Sequence, residues 1–397
     1  MNAAIDNNKK SCNDNMLSNF SELKKIQVRR DQLQKNTNMV LSEITKTHFD
    51  LSHVSNYIEN MIGVCNVPLG VAGPIQINGD FANGKFYVPF ATTQSTLIRS
   101  YDRGMKVLTA SGGVNTKIIK DEIHISPVFC FSNLKEAKNF YNWSIENFEL
   151  LKKEAESVTT HGKLLRIKPV ILGRKVILTL YFSTQDAMGL NMIVIAADKL
   201  CRYISKNIQV RKYYLRSNYS ADKKPSYLNF IEGYGKTVVV EATIAKQIIE
   251  GYLQTSAKEL YDFWITSVIC GIQSGLMGLN AHFANGLSAI FLACGQDIAS
   301  VVNACLGIGT IEIEDNGDLY ISGRISSLPI GTVGGATDLG TQKECLQIMD
   351  CFGNGKTNRL AEIISATLVA GEISIVSAIA TGNFASAHIN ARLKKGK

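Results

Sequence analysis

The chain reads as an α+β protein with a large helix-centred domain, a smaller domain inserted into it and a helical segment in front. Three observations predict this class. Thr357 to Ala380 is a long, sparsely charged run, which places it in a core or at a subunit contact. Residues 131–215 form a compositional block of their own, helix then strands then helix, the size of a small α+β domain. The stretches on either side share a glycine-rich loop texture, so the block reads as an insertion. The resulting division is a tail and helical segment over 1–58, a large domain over 59–130 and 216–397, and a small domain over 131–215.

Taken in order, residues 1–20 are rich in Asn and Ser and read as disordered. Phe20 to Lys46 carries Leu23, Ile26 and Leu33 at helical spacing, and Ser52 to Met61 reads as a second, short helix. Val67 to Pro74 is rich in Gly and Pro and reads as loop and irregular strand. Phe86 to Gln94 is a strand entering a loop. A helix follows from Ser95, as N-cap, to about Ala110, and Ser111-Gly112-Gly113 ends it. In the small domain, Leu134 to Ser157 is one charged amphipathic helix and Leu164 to Tyr181 alternates as strand. Asp186-Ala187-Met188-Gly189 then turns into a helix from Leu190 to Lys206. Ile244 to Gln254 and Lys258 to Met277 are helical, and Asn303 to Ile325 is a β-region turning at Asp315-Asn316-Gly317-Asp318.

Composition excludes several classes. The 397 residues suffice for two or three domains with sizeable cores. With 45% hydrophobic and 19% charged residues, the chain is globular. A net charge of +8 suits an anionic substrate or cofactor, and the lack of a basic stripe interleaved with aromatics argues against a nucleic-acid partner. Nine cysteines, with no C-x-x-C pair, argue against a disulfide framework or structural zinc and for a reducing cytoplasm. None of the six histidines has zincin spacing, so no metal is expected. The N-terminus lacks a signal-peptide core and no uninterrupted apolar run approaches the ~20 residues of a span, so no membrane is expected.

The stretch around which the candidate chemistry gathers is Ala221-Asp222-Lys223-Lys224-Pro225. Pro225 removes a backbone donor and pushes Lys224 away from helical geometry, so the run is a turn whose two lysines point different ways. Taken alone, such a turn is an ordinary solvated surface feature. Asp297, after Gly295-Gln296, is on its own an N-cap, and His388 a surface histidine. Gly331 to Thr337 is a small-residue loop able to bring amides to a phosphate, a common pattern. No G-x-G-x-x-G is present, so a Rossmann domain is not expected.

In register, Glu59-Asn60-x-Ile62-Gly63, Gly70-Val71-Ala72-Gly73-Pro74, Ala91-Thr92-Thr93, Asp186-Ala187-Met188-Gly189-x-Asn191-Met192, Asp222-Lys223-Lys224-Pro225, Ile231-Glu232-Gly233-x-Gly235-Lys236, Asn280-Ala281-His282-x-Ala284-Asn285, Gly295-Gln296-Asp297 and Gly331-Thr332-Val333-Gly334-Gly335 resemble 3-hydroxy-3-methylglutaryl-CoA reductase. The resemblance covers roughly residues 20–397 and leans to the eukaryote-like class. It implies a ferredoxin-like small domain that binds NADPH or NADH, an acyl-CoA or acyl-carrier thioester as substrate, no metal, and a homodimer or dimer of dimers with the active site at the subunit boundary. Reducing a thioester puts negative charge on a carbonyl oxygen, which requires a fixed cation. Lys223 matches that cation, Asp297 the carboxylate that orients it, and His388 the acid that protonates the departing thiolate. Asp186, Met188, Gly189, Asn191, Gly334 and Gly335 match the dinucleotide site. Glu59, Asn60, Arg103, Lys224, His282 and Asn285 match the substrate-binding segments.

The chain also departs from the pattern. The family's Ala-Thr-Thr-Glu supplies a catalytic glutamate where this chain has Gln94, and an amide donates a hydrogen bond without supplying a proton. The family's arginine before the segment matching Pro127-Val128-Phe129 is missing, and no lysine stands at Trp264 to Ser267. Arg216 occupies the place of a serine. These changes fall on the clamp for the substrate's distal carboxylate and point to an altered acyl group or a cation supplied by Arg216. Thr159-Thr160 replaces the Ser-Arg pair of the dinucleotide phosphate site and the tail arginine shifts to Arg392, which leaves NADPH and NADH both open. The competing reading is a non-catalytic homologue that binds CoA-type ligands or a partner chain.

Overall fold

The computed structural model describes residues 20–47, 51–54, 57–385 and 389. It contains two compact units, Met1–Pro68 and Leu69–Lys397, so the first division falls at Pro68 rather than at residue 58. In the first unit helix α1, Glu22–Thr37, starts at Ser21, whose hydroxyl accepts from the Lys24 amide, and stops at Asn38 in the left-handed conformation. That cap ends the helix well short of Lys46. The second expected helix shrinks to Leu51–Val54, and Glu59 and Asn60 lie in an exposed turn beyond it. The disorder expected over 1–20 lies outside the described residues apart from Phe20.

The second unit is built on a ten-stranded sheet. β1 (Leu69–Gly79) and β2 (Asn83–Ala91) pair antiparallel, so in the Gly- and Pro-rich stretch expected as loop and irregular strand the strand part dominates from Leu69. Pro74 sits at a register break between Ala72 and Ile75, where a residue without an amide donor is tolerated. Helix α2 (Leu97–Ala110) begins after Thr96, not Ser95; Thr96 has φ 75° and makes no side-chain cap. β3 (Val114–Ile125) and the short β4 (Val128–Cys130) lead into the small domain.

There the single amphipathic helix expected from Leu134 to Ser157 is two, α3 (Leu134–Glu146) and α4 (Phe148–Glu156). The break falls at Asn147, whose φ of −104° and ψ of 26° leave the helical region; its amide keeps the helical bond to the Trp143 carbonyl, and its side-chain nitrogen donates to the same oxygen at 2.9 Å. β5 (Lys163–Leu172), β6 (Lys175–Ser183), α5 (Leu190–Asn207) and β7 (Lys212–Tyr214) complete the block. Its core gathers Phe129, Phe140, Leu178, Phe182, Ala197 and Leu200.

The chain then returns to the large domain through β8 (Gly235–Ile244). β3 pairs with β8 from Asn115 to Glu122 and with β6 from Ile123 to Ile125, so one strand joins the two halves of the sheet. The helix expected over Ile244–Gln254 is only Lys246–Ile248 and a π-turn. α6 (Ala257–Gln273) stops before Met277, at Ser274 and Gly275. α7 (Phe283–Ala293), the hairpin of β9 (Gly307–Ile313) and β10 (Leu319–Leu328), and α8 (Thr357–Ala380) follow. α8 is long and apolar enough to cross a membrane by composition, yet 72% of its apolar window is buried inside the protein. α2 crosses it through Gly104, where a Cβ would sit 1.7 Å from the Ala370 carbonyl oxygen.

Candidate active site

Lys223 and Asp297 meet. The lysine Nζ lies 2.6 Å from Asp297 Oδ2, and both side chains are partly open to solvent at 37% and 29%. The lysine is presented by a backbone that its own sequence disfavours: Ala221 and Lys223 have φ of 48° and 55°. The strain is held by Asn303, which is fully buried. Its Oδ1 accepts from the Lys223 amide at 2.7 Å, and its Nδ2 donates to the carbonyls of Ala221 (3.1 Å) and Lys224 (3.2 Å). Asn229 Nδ2 adds a bond to the Ala221 carbonyl at 3.0 Å. Neither asparagine stands out in the sequence, because a lone Asn carries no pattern. Lys224 points elsewhere, its Nζ 3.3 Å from the Asp222 carbonyl. Arg216 forms an ion pair with the Asp222 carboxylate.

The triplet around Asp297 is bound to two loops at once. Gly295 has φ 65°, and a Cβ there would lie 2.4 Å from the Ala336 carbonyl. Gln296 Nε2 donates to the Gly331 carbonyl and its Oε1 accepts from the Gly331 amide, both at 2.9 Å. Asp297 itself caps the following 3-10 turn through the Ala299 amide at 3.1 Å, so the capping role and the lysine pairing coexist on one carboxylate. Ser300 Oγ approaches Met188 Sδ at 4.0 Å. We expect Gly295→Ala to cost about 1–3 kcal/mol, because strain and clash add at one position; thermal unfolding measures it, with an unchanged midpoint as the contrary result.

The loop of Asp186 to Gly189 closes the arrangement. The Asp186 carboxylate accepts from the Gly355 amide (2.8 Å), the Thr357 amide (3.2 Å) and the Thr357 hydroxyl (2.8 Å), at the N-terminus of α8. Its carbonyl accepts from the Thr332 amide at 2.8 Å. Burial pushes the carboxyl up, but these donors outweigh it and hold Asp186 below the usual carboxylate range. Asp186 thus fastens the loop to the large domain. Gly189 has φ 80° and starts α5; Asn191 is exposed on the first turn of that helix. Gly334 and Gly335, with φ of 74° and 58° and open space where side chains would be, start the 3-10 turn Gly335–Asp338. A folded-state pKa below the unfolded one means that Asp186 stabilises the fold above the ordinary carboxylate range and that this is lost as pH falls through the lower value. Asp186→Asn should therefore lower the unfolding midpoint at neutral pH and remove that part of the pH dependence; a variant with unchanged acid stability contradicts this role.

The remaining residues are placed as follows. Gln94 follows β2, its Oε1 accepting from Asn285 Nδ2 at 3.1 Å, which leaves its amide nitrogen as the free end. His282 is a core residue: its Nε2 lies 2.9 Å from the Gly371 carbonyl and its ring meets Tyr101 edge-on. Burial lowers its pKa to about 4, so it is neutral at ordinary pH. Arg103 spends its fork on Ser374, with Nη2 2.5 Å from the carbonyl and Nε 3.0 Å from the hydroxyl. Both therefore reach a substrate only through the helices they fasten. His388 lies outside the described residues, and Glu59 and Asn60 belong to the first unit. Among the described residues no group of three His, Cys, Asp or Glu is placed to hold a metal.

A lysine ammonium clamped by a carboxylate, with the Asp186–Gly189 loop close by, is an arrangement able to stabilise negative charge on a carbonyl oxygen, as an enzyme acting on carbonyl groups requires. A sequence model for hydroxymethylglutaryl-coenzyme A reductase matches residues 25–393. The 3-hydroxy-3-methylglutaryl-coenzyme A reductase of Methanocaldococcus jannaschii is 41% identical over 361 residues, 86% of this chain and 89% of the relative. That of Pyrococcus horikoshii is 41% identical over 371 residues, 91% of this chain and 90% of the relative. The class II reductase of Streptococcus pneumoniae, bound to NADPH in open conformations, shares the fold with a TM-score of 0.67 at 16% identity, over 92% of this chain and 99% of that one. The chain belongs to the hydroxymethylglutaryl-coenzyme A reductase family.

Proposed function

We propose that the chain is an NAD(P)H-dependent reductase of an acyl thioester, with 3-hydroxy-3-methylglutaryl-CoA as the parent substrate. One observation carries this reading: Asp297, which holds Lys223, is separated by one bonded residue from Gly331 and by two residues from the contact with Met188. The cation for a carbonyl oxygen and the candidate dinucleotide loop are therefore one connected piece. NADPH or NADH supplies the hydride. Lys223 takes the charge that develops on the oxygen, Asp297 orients it, and His388 protonates the departing thiolate. Arg216 and Lys224 receive the distal carboxylate of the acyl group, with Asn285 contributing to the substrate site.

Gln94 and Asn285 lie near the start of α7, while Asp297 and Lys223 lie beyond its end, and the rise from Asn285 to Ala293 alone is about 12 Å. We therefore propose that each complete site draws one cluster from each of two copies. The reading is tested by following reduced-nicotinamide absorbance with 3-hydroxy-3-methylglutaryl-CoA, with acyl-CoAs lacking the distal carboxylate, and with both dinucleotides. We expect oxidation with the carboxylated thioester. Arg216→Ala should raise its KM about tenfold and leave uncharged acyl-CoAs unaffected. Tight binding of CoA ligands without any dinucleotide oxidation would instead support a non-catalytic binder.

A further inference from the structure

A partly open pocket lies between α6, the β9–β10 hairpin and α8. Phe263, Trp264, Leu276, Ile321 and Val376 make its walls largely apolar, and none of Lys223, Asp297, Gln94 or Asp186 lines it. Among the described lining residues Glu372 is the only ionisable one. Its two carboxylate oxygens accept from the backbone amides of Ala281 (2.7 Å) and His282 (2.9 Å), so the group is pinned in place by neutral donors. No lysine or arginine among the described residues forms an ion pair with it. Burial pushes the Glu372 carboxyl up to about 7, against the two amides, as expected where no cationic side chain compensates the charge. The Trp264 indole is fixed by its N–H bond to the Gly309 carbonyl at 3.1 Å.

We propose that this pocket binds an apolar ligand bearing a single ammonium group, which pairs with Glu372 while the ligand body rests against Phe263 and Trp264. The amides that hold Glu372 leave lone pairs on its oxygens for a further donor, and an ammonium carries three. Aromatic faces favour a cation over a neutral isostere. An anion meets like charge, and a neutral ligand leaves the buried carboxylate without a counter-charge. The pocket's lining holds no catalytic or cofactor residue, but one wall, Trp264 and Ser267, is the stretch where the family carries the clamp lysine that this chain lacks.

Calorimetric titration of the full chain, above the Glu372 value of about 7, compares phenethylammonium with phenethyl alcohol and phenylpropionate. We expect the ammonium to bind at least about tenfold more tightly than the alcohol, and the anion not to bind. Glu372→Gln should erase the difference between ammonium and alcohol. Val268→Trp, which fills the pocket and keeps the carboxylate, should block both. Equal affinity for ammonium and alcohol in the unaltered chain overturns the proposal, as does a preference that survives Glu372→Gln. If Glu372→Gln does not fold, Val268→Trp decides: unchanged ammonium binding in that variant places the ligand elsewhere and rejects the pocket.

Discussion

Lys223→Ala lowers kcat for thioester reduction by at least about 10³-fold while binding of the reduced dinucleotide stays within about twofold. The reasoning is electrostatic. Hydride addition converts a neutral carbonyl oxygen to an oxyanion, and Lys223 is the ammonium that Asp297 fixes beside the candidate dinucleotide loop. The loop conformation does not depend on the lysine side chain, because Asn303 bonds backbone groups of 221, 223 and 224. The variant should therefore fold and bind normally. Single-turnover absorbance measures the chemical step, and dinucleotide fluorescence measures binding. Mixing Lys223→Ala chains with Asn285→Ala chains extends the test. If two copies share each site, mixed dimers regain turnover that neither variant shows alone. A rate unaffected by Lys223→Ala removes the lysine from the chemistry.

The second large effect lies at Gln94. In the unaltered chain we expect one hydride to reduce the thioester to the aldehyde, releasing CoA thiol and oxidised dinucleotide. The second hydride transfer makes an alkoxide that needs a proton, and a carboxamide has none to give. Asn285 engages the Gln94 oxygen, which leaves the amide nitrogen as the donor end of the side chain. We expect one dinucleotide oxidised per thiol released in the unaltered chain and two in Gln94→Glu, with the second transfer faster by about 10² to 10⁴. Thiol titration alongside nicotinamide absorbance gives the ratio. A ratio of two in the unaltered chain means that another group supplies the proton.

Legibility in the sequence followed the physics of each element. Thr357 to Ala380 was readable to the residue, since a long apolar run has one cheap conformation and one place to go. The β9–β10 hairpin was readable from its turn residues. The break at Asn147 was not, because the hydrophobic period runs through it and only the backbone of that one residue leaves the helical region. Val67 to Pro74 was legible as an irregular strand, though its glycines and proline overstated the loop: a register break lets the strand continue through Pro74. At the site, Lys223 and Asp297 were legible as a family pattern and not as a pair in space. Asn303, Gln296 and the helix-capping role of Asp186 were invisible, since each depends on backbone groups distant in sequence.

The central claim is that the Lys223 ammonium receives the reacting oxygen of a thioester. Diffraction from crystals of the chain with 3-hydroxy-3-methylglutaryl-CoA tests it directly. The thioester oxygen should lie about 3 Å from Lys223 Nζ, on the side of the Asp186–Gly189 loop. A fully ordered acyl group whose oxygen sits beyond about 6 Å from that nitrogen, in every copy of the assembled protein, contradicts it.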